Sequence, residues 1–162
     1  MLFTETQRFR QWWLILLLGA IFAHLLVGAY QQLFNNIPMG DHPVSNTGMI
    51  GLVLFICVIF ALFFIIKLET RITTNAIFFR FYPFQIKFRK ITKDEINHLD
   101  LVQFRPIRDF GGWGIRMGSE VDWAYTIAGN KGLKVFNNSG KVILIGTQKS
   151  DELQRALAEF QK

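Results

Sequence analysis

Two stretches of the chain show no alternation of polar and apolar positions at all. Residues 12–34 and 48–66 contain no Asp, Glu, Lys or Arg. At about 1.5 Å per residue, each is long enough to cross the roughly 30 Å hydrocarbon layer of a bilayer. A buried helix in a soluble domain is normally shorter and shows a polar face. Between the two runs, Asn35-Asn36-Ile37-Pro38-Met39-Gly40-Asp41-His42-Pro43 has the Asn, Gly and Pro of a short turn. The pattern predicts an α-helical transmembrane hairpin within residues 1–67, with spans at about 12–34 and 48–66.

From Leu68 onward the pattern becomes short runs with period-two alternation, rich in Phe, Ile, Val and Thr and broken by Gly or Asn. Residues 71–74 and 77–82 flank Asn75-Ala76 as a hairpin. A third strand is expected at 85–90. Thr92 and Glu95 have the spacing of a capping box around one helical turn, and a strand at 99–105 ends before Pro106. Further strands are expected at 111–116, 123–127, 133–136 and 141–145, separated by Gly129-Asn130-Lys131-Gly132 and Asn137-Asn138-Ser139-Gly140. The last element is a helix that Ser150 can cap, with Asp151 and Glu152 in its first turn. Its Leu153, Ala156, Leu157 and Phe160 recur at helical spacing and give one apolar stripe. About seven strands closed by one amphipathic helix make a second domain, residues 68–162, read as a small antiparallel barrel or sandwich.

Charge orients the hairpin. Arg8 and Arg10 precede the first run, Lys67 and Arg71 follow the second, and the link between them has no Lys or Arg. By the positive-inside rule both termini face the cytoplasm, with Trp12, Trp13 and Tyr30 as interfacial anchors. Arg8, Arg10, the apolar run and Val27-Gly28-Ala29 also fit a cleavable signal peptide. The run is long for that role, and cleavage would leave the following domain on the same side.

The strand-rich region has a set of motifs in order: Gly112-Trp113-Gly114-Ile115-Arg116, Ala124-Tyr125, Gly129, Gly132-Leu133, Gly140, Ile145-Gly146-Thr147, and a closing helix from Ser150. Over about residues 68–160, preceded by two spans, this resembles the bacterial pleckstrin-homology-like (bacterial PH) domain proteins of membranes. The resemblance implies a bent antiparallel barrel or sandwich capped by a C-terminal helix, in a protein of the bacterial inner membrane. It does not imply an enzyme. The wider superfold serves binding of lipids, peptides or proteins, and some bacterial members form homo-oligomers, so the analogy sets only a prior.

Candidate chemistry is sparse. From Lys67 on there are 16 Lys/Arg against 10 Asp/Glu, a net of +6. Charges near an anionic leaflet each contribute about 1 kcal/mol. Arg80, Lys87, Arg89 and Lys90 therefore form a candidate strip for anionic lipid, with Lys87 and Arg89 on one face of an expected strand. Solvated strand charge is the bland alternative, and dispersed basic residues on a tethered domain argue against nucleic acid. In the first span, His24 is a polar residue at mid-depth, and Ala20, His24 and Gly28 share one face at four-residue spacing, a candidate helix interface. Cys57 lies at comparable depth, but neither span has Asp or Glu, so no metal site is expected. The three His are too scattered for a catalytic triad, and Gly111-Gly112-Trp113-Gly114 lacks the Lys-Ser/Thr of a phosphate loop. Trp113, Trp123 and Tyr125 are read as core before groove.

No enzyme and no cofactor are expected. The reading is a membrane-anchored, non-catalytic interaction or scaffold module, with a homo-oligomer or another membrane protein as partner. The alternative is a lipid-sensing module that binds anionic headgroups.

Overall fold

A computed structural model describes residues 1–9 and 11–162. Arg10, one of the two basic residues ahead of the first apolar run, lies outside the described residues. The chain divides into two compact units: Arg10–Ile65, and a second built from both Met1–Phe9 and Ile66–Lys162.

The first unit is a pair of helices, α1 (Trp12–Phe34) and α2 (Asn46–Ile65), both long and apolar enough to cross a membrane. Leu25 and Ala29 of α1 pack with Met49 of α2, joined by Val53 and Ile56, while Phe22 stacks on Phe60 at 5.5 Å between ring centroids. Phe22, Leu25, Ala29 and Met49, Val53, Ile56, Phe60 follow the alternating three- and four-residue spacing of two helices that meet along a seam. The helix α2 begins two residues earlier than expected because the Ser45 hydroxyl accepts the Gly48 N–H at 3.1 Å. Gln32 secures the link: its Nε2 donates to the Val44 carbonyl (2.7 Å) and to Asn46 Oδ1 (3.2 Å).

The second unit has nine strands among the described residues, in two sheets that do not close into a barrel. The first sheet has the order β1 (Phe3–Arg8), β2 (Lys67–Ile72), β3 (Ala76–Tyr82), β4 (Arg89–Thr92), all antiparallel. After the single turn Lys93–Glu95 come β5 (Ile96–Gln103), α3 (Pro106–Phe110), β6 (Gly114–Arg116), β7 (Trp123–Thr126), β8 (Lys131–Asn137) and β9 (Val142–Thr147). These strands form the second sheet in the order β5-β8-β9-β7-β6. The chain ends in α4 (Ser150–Phe160). The turn at 93–95 is the expected capping box: Glu95 accepts the Thr92 N–H at 2.8 Å. That bond and the Thr92 hydroxyl hold the Glu95 carboxyl below its ordinary value.

Five expectations are corrected. The chain forms nine strands in two open sheets, where about seven closed into a barrel or sandwich were expected. The pair β7·β9 is parallel, so residues 127–130 are a crossover past the end of β9 and not a hairpin turn. This crossover is held by the Gly-Trp-Gly-Ile-Arg motif, because the Trp113 indole donates to the Gly129 carbonyl at 3.0 Å. Residues 85–88 are loop, and the strand is Arg89–Thr92. The strand domain also does not begin at Leu68: β1 precedes the hairpin and pairs with β2 from Phe3↔Ile72 to Arg8↔Lys67. At the helix end, Ser150 lies inside α4 and its side chain makes no cap bond.

Both sheets and α4 share one core. Phe3, Leu68, Ile72, Ile77, Phe79 and Phe81 meet Tyr125, Ile127, Leu133, Val135 and Ile145, and the expected stripe Leu153, Ala156, Leu157, Phe160 packs on them. The N-terminal strand adds polar contacts to this core. Buried Glu5 accepts the Thr147 hydroxyl (2.7 Å) and the Gln148 N–H (2.8 Å), and Gln7 donates to the Gly146 carbonyl (2.6 Å). Gly132 and Gly146 face each other in register, and a Cβ on Gly132 would stand 2.9 Å from the Ile145 carbonyl oxygen, a distance only glycine tolerates.

Candidate membrane-facing site

The basic residues singled out in the sequence lie along the β3–β4 pair and in the loop that joins it. In β3 the side chains of Ile77, Phe79 and Phe81 point into the core, so Phe78, Arg80 and Tyr82 point outward. Register brings Lys67 and Glu69 of β2 beside Tyr82 and Arg80. There Glu69 accepts bonds from both Arg80 Nε and Lys67 Nζ, the latter at 2.7 Å. Burial alone would raise the Glu69 carboxyl, but the two cations outweigh it and hold the group below its ordinary value.

Arg80 also donates to the Ile86 carbonyl at 3.0 Å and lies 4.4 Å from the centroid of Phe88, with Arg71 at 4.7 Å from the same ring. Its charge is therefore committed to the fold, as partner of Glu69 and as a brace for the loop 83–88. Arg89 takes the opposite side of its sheet from Lys90, since it pairs in register with inward Phe79. Its guanidinium donates to Tyr125 Oη at 2.6 Å. Lys90 faces outward with its ammonium over the Phe78 ring at 6.0 Å. Lys87 is exposed in the loop and meets no partner among the described residues. The four residues thus spread over both faces and several rows of the β3–β4 pair and do not form the flat strip expected from strand alternation, because Lys87 is not in a strand and Arg89 and Lys90 point to opposite faces. Of the four, Arg80 is the one in an ion pair among the described residues; the charge of Lys90 acts on the Glu95 carboxyl, Arg89 is held by a phenol, and Lys87 meets no acidic group.

Sequence reasoning missed the apolar partner of these charges. Phe84 and Ile86 are 65% and 73% exposed in the same loop. The backbone behind them is pinned: Gln85 N–H donates to the Phe81 carbonyl (2.8 Å), Gln85 Oε1 accepts the Phe81 N–H (3.2 Å), and Gln85 Nε2 donates to Tyr125 Oη (3.3 Å). The usable signal was Pro83 directly after Tyr82, since proline interrupts a strand and here turns Phe84 out of it.

The helix-interface candidates separate. Gly28 is buried where a Cβ would meet Met39 Sδ, but Ala20 and His24 are exposed and point away from α2. The seam inside the hairpin runs through Phe22, Leu25 and Ala29, one face round from the one expected. Of the aromatic candidates, Tyr125 is core, Trp113 braces the crossover and Trp123 is exposed. His98 Nε2 lies 2.6 Å from Asp100 Oδ1 on exposed β5, far in sequence from His24 and His42. No group of three or more His, Cys, Asp or Glu among the described residues is placed to hold a metal. The outer face of the second sheet carries a cleft of about 440 Å³ between α3 and residues 119–121, with Phe104, Phe110, Val121 and Leu144 in its lining and Arg105, Arg108 and the Lys134–Glu120 pair (2.9 Å) around it.

No family model matches the chain, and neither a curated protein nor a solved structure is similar enough to show kinship.

Proposed function

We propose that this chain is a non-catalytic module anchored in the bacterial inner membrane by its helix pair, whose strand domain reads the anionic lipid of the leaflet it faces. One observation carries the reading. The register Arg8↔Lys67↔Tyr82 puts the end of β3 level with the two points where the chain leaves for α1 and returns from α2. Lys87, in the loop that follows Tyr82, is thereby at the anchored end of the sheet, where it contributes about 1 kcal/mol next to an anionic surface, while Lys90, in register with Phe78, lies further along the strand, nearer its other end. The same pairing of β1 with β2 supports both termini lying on one side of the membrane, because the strands flanking the hairpin belong to one sheet. Arg8, Lys67 and Arg71 on that side, against a link without Lys or Arg, favour the cytoplasm. The bacterial PH resemblance rests on the sequence motifs and on the packed C-terminal helix, while the two open sheets and the parallel β7·β9 pair depart from the antiparallel barrel it implies.

The test uses the full chain in nanodiscs of phosphatidylcholine alone or with phosphatidylglycerol, read by amide hydrogen exchange. Anionic lipid slows exchange over residues 86–91, and Lys87→Glu abolishes the difference. Equal exchange in both lipids overturns the reading.

A second reading, assembly with further copies or another membrane protein, is favoured by the outward placement of Ala20 and His24. A polar ring facing acyl chains gains from a partner helix, and small neighbours permit close approach. The mass of the protein in nanodiscs decides it: a defined oligomer that His24→Leu dissociates supports assembly, and a monomer removes it.

A further inference from the structure

The loop 83–88 carries more than charge. We infer that Phe84 and Ile86 form a shallow insertion element that enters the boundary between headgroups and acyl chains of the leaflet facing the domain, an inference that rests on the membrane anchoring proposed above.

Single exposed apolar residues are ordinary on protein surfaces and need no explanation. Three observations set this pair apart. The first is position: Phe84 lies two residues beyond Tyr82, just as Ile65 lies two residues before Lys67, the register partner of Tyr82. The loop therefore leaves the sheet at the same row, Arg8↔Lys67↔Tyr82, from which the chain departs for the hairpin and returns. The second is that the exposure is organised. The Gln85 bonds to Phe81 and Tyr125, and the Arg80 bond to the Ile86 carbonyl, fix the backbone from behind. With Gln85 held inward, its neighbours Phe84 and Ile86 are held out. A loop that only needed solubility would not spend four side-chain and backbone bonds on presenting a Phe and an Ile to solvent.

The third is the surrounding chemistry. Lys87 follows Ile86 directly and is itself exposed. Long cationic side chains flanking an apolar tip can reach phosphates while the tip sits below them. Phe88, the other aromatic of the loop, is already covered by the guanidinium groups of Arg71 and Arg80, so the free apolar surface is confined to Phe84 and Ile86. Lipid is the occupant that matches this combination of a small apolar tip, an adjoining unpaired lysine and a location at the anchored end of the sheet.

The experiment keeps the full chain in vesicles, in a Cys57→Ala background. An environment-sensitive nitrobenzoxadiazole label is placed at Lys87→Cys, beside the intact apolar pair, and as control at Ser139→Cys. Ser139 lies in the β8–β9 turn, next to residues 94–95 and so at the other end of the first sheet. The label at 87 should emit at shorter wavelength than the control and be quenched by lipid carrying a doxyl group high on the acyl chain. Phe84→Ser with Ile86→Ser should return both readings to those of the control. A water-like label at 87 overturns the inference, and so does a quenched label that ignores the double serine substitution. Lipid composition separates this from the headgroup reading. Serine-sensitive quenching, together with exchange over residues 86–91 of the unlabelled chain that is equal in phosphatidylcholine and phosphatidylglycerol, keeps insertion and removes headgroup sensing. A water-like label together with exchange protection that depends on anionic lipid does the reverse.

Discussion

The helix pair and the strand domain are assembled on opposite principles. The hairpin is one uninterrupted segment whose partners lie next to each other in the chain. The strand domain is discontinuous, with its first strand on the far side of the hairpin from the other eight. A self-contained helical unit has been placed where two antiparallel strands would otherwise meet in a tight turn. Arg8 and Lys67 are neighbours in the sheet although the whole hairpin separates them in sequence. A local element can interrupt a non-local one at no cost to pairing, provided that it leaves and re-enters at adjacent points.

The largest effect comes from removing the insertion and, separately, the strand ahead of it. Replacing residues 9–66 by an Asn-Gly turn should yield a folded, water-soluble strand domain, because two-residue loops of this type join antiparallel neighbours such as Arg8 and Lys67. Residues 68–162 alone, lacking β1, should aggregate or fold poorly. They lose Phe3 from the core and the pairing partner of β2, and leave a bare sheet edge. Dispersion of amide proton resonances and elution volume distinguish the two. If both fold equally well, β1 is an accessory and the domain is not discontinuous in any energetic sense.

A matched pair of substitutions then compares the interiors. Phe79→Ala empties a fully buried site in the strand domain and should cost about 3–5 kcal/mol in denaturant unfolding of the turn-linked domain. Phe22→Ala removes the ring that stacks on Phe60 and should weaken the helix pair by about 1 kcal/mol or less, since acyl chains replace the lost contact. Distances between spin labels on α1 and α2 in lipid report the second. Equal costs would mean that the seam is packed against water and not lipid.

The two regions also differ in how far they could be read in advance. The ends of α1 match the apolar run because nothing but local composition sets them, and α2 departs by two residues only because Ser45 caps it. In the strand domain β3, β7, β8 and β9 were found to within two residues, since each carries alternation or an apolar run of its own. The strand β1 was hidden. Its inward residues after Phe3 are Glu5 and Gln7, so the usual apolar signal is absent, and the groups that satisfy them lie on β9 and just beyond it. The site was legible as charge but not as geometry. Arg80 is claimed by Glu69, Arg89 by Tyr125, and the exposure of Phe84 and Ile86 depends on bonds to residues 80, 81 and 125.

Glu5 tests whether that hidden polar contact matters to the discontinuous domain. Glu5→Ala leaves the Thr147 hydroxyl and the Gln148 N–H without their acceptor in a buried place, and should cost about 2–3 kcal/mol in the turn-linked domain. Glu5→Gln keeps an acceptor oxygen for one of the two donors and should cost about half as much. An Ala variant as stable as the parent would show that β1 is held by its ladder and Phe3 alone.

The smallest expected effect belongs to the outer face, where sheet chemistry meets solvent. The Glu69 carboxyl lies below its ordinary value of 4.5 when folded, because Arg80 and Lys67 favour the charged form more than burial opposes it. A depressed carboxyl contributes stability that is complete above the unfolded value and is lost as pH falls through the folded one. The turn-linked domain should therefore hold this contribution at neutral pH and lose it progressively below about pH 4.5. Glu69→Gln should remove it at neutral pH, at a cost on the order of 1 kcal/mol or less, and make the acid limb of the stability profile shallower. It also releases Arg80 to interact with the loop or with lipid, so hydrogen exchange at residues 83–88 should rise while Phe79 and the core stay protected. A variant whose acid limb matches the parent would show that the Lys67–Glu69–Arg80 contacts are surface decoration, and that the loop is held by Gln85 and Tyr125 alone.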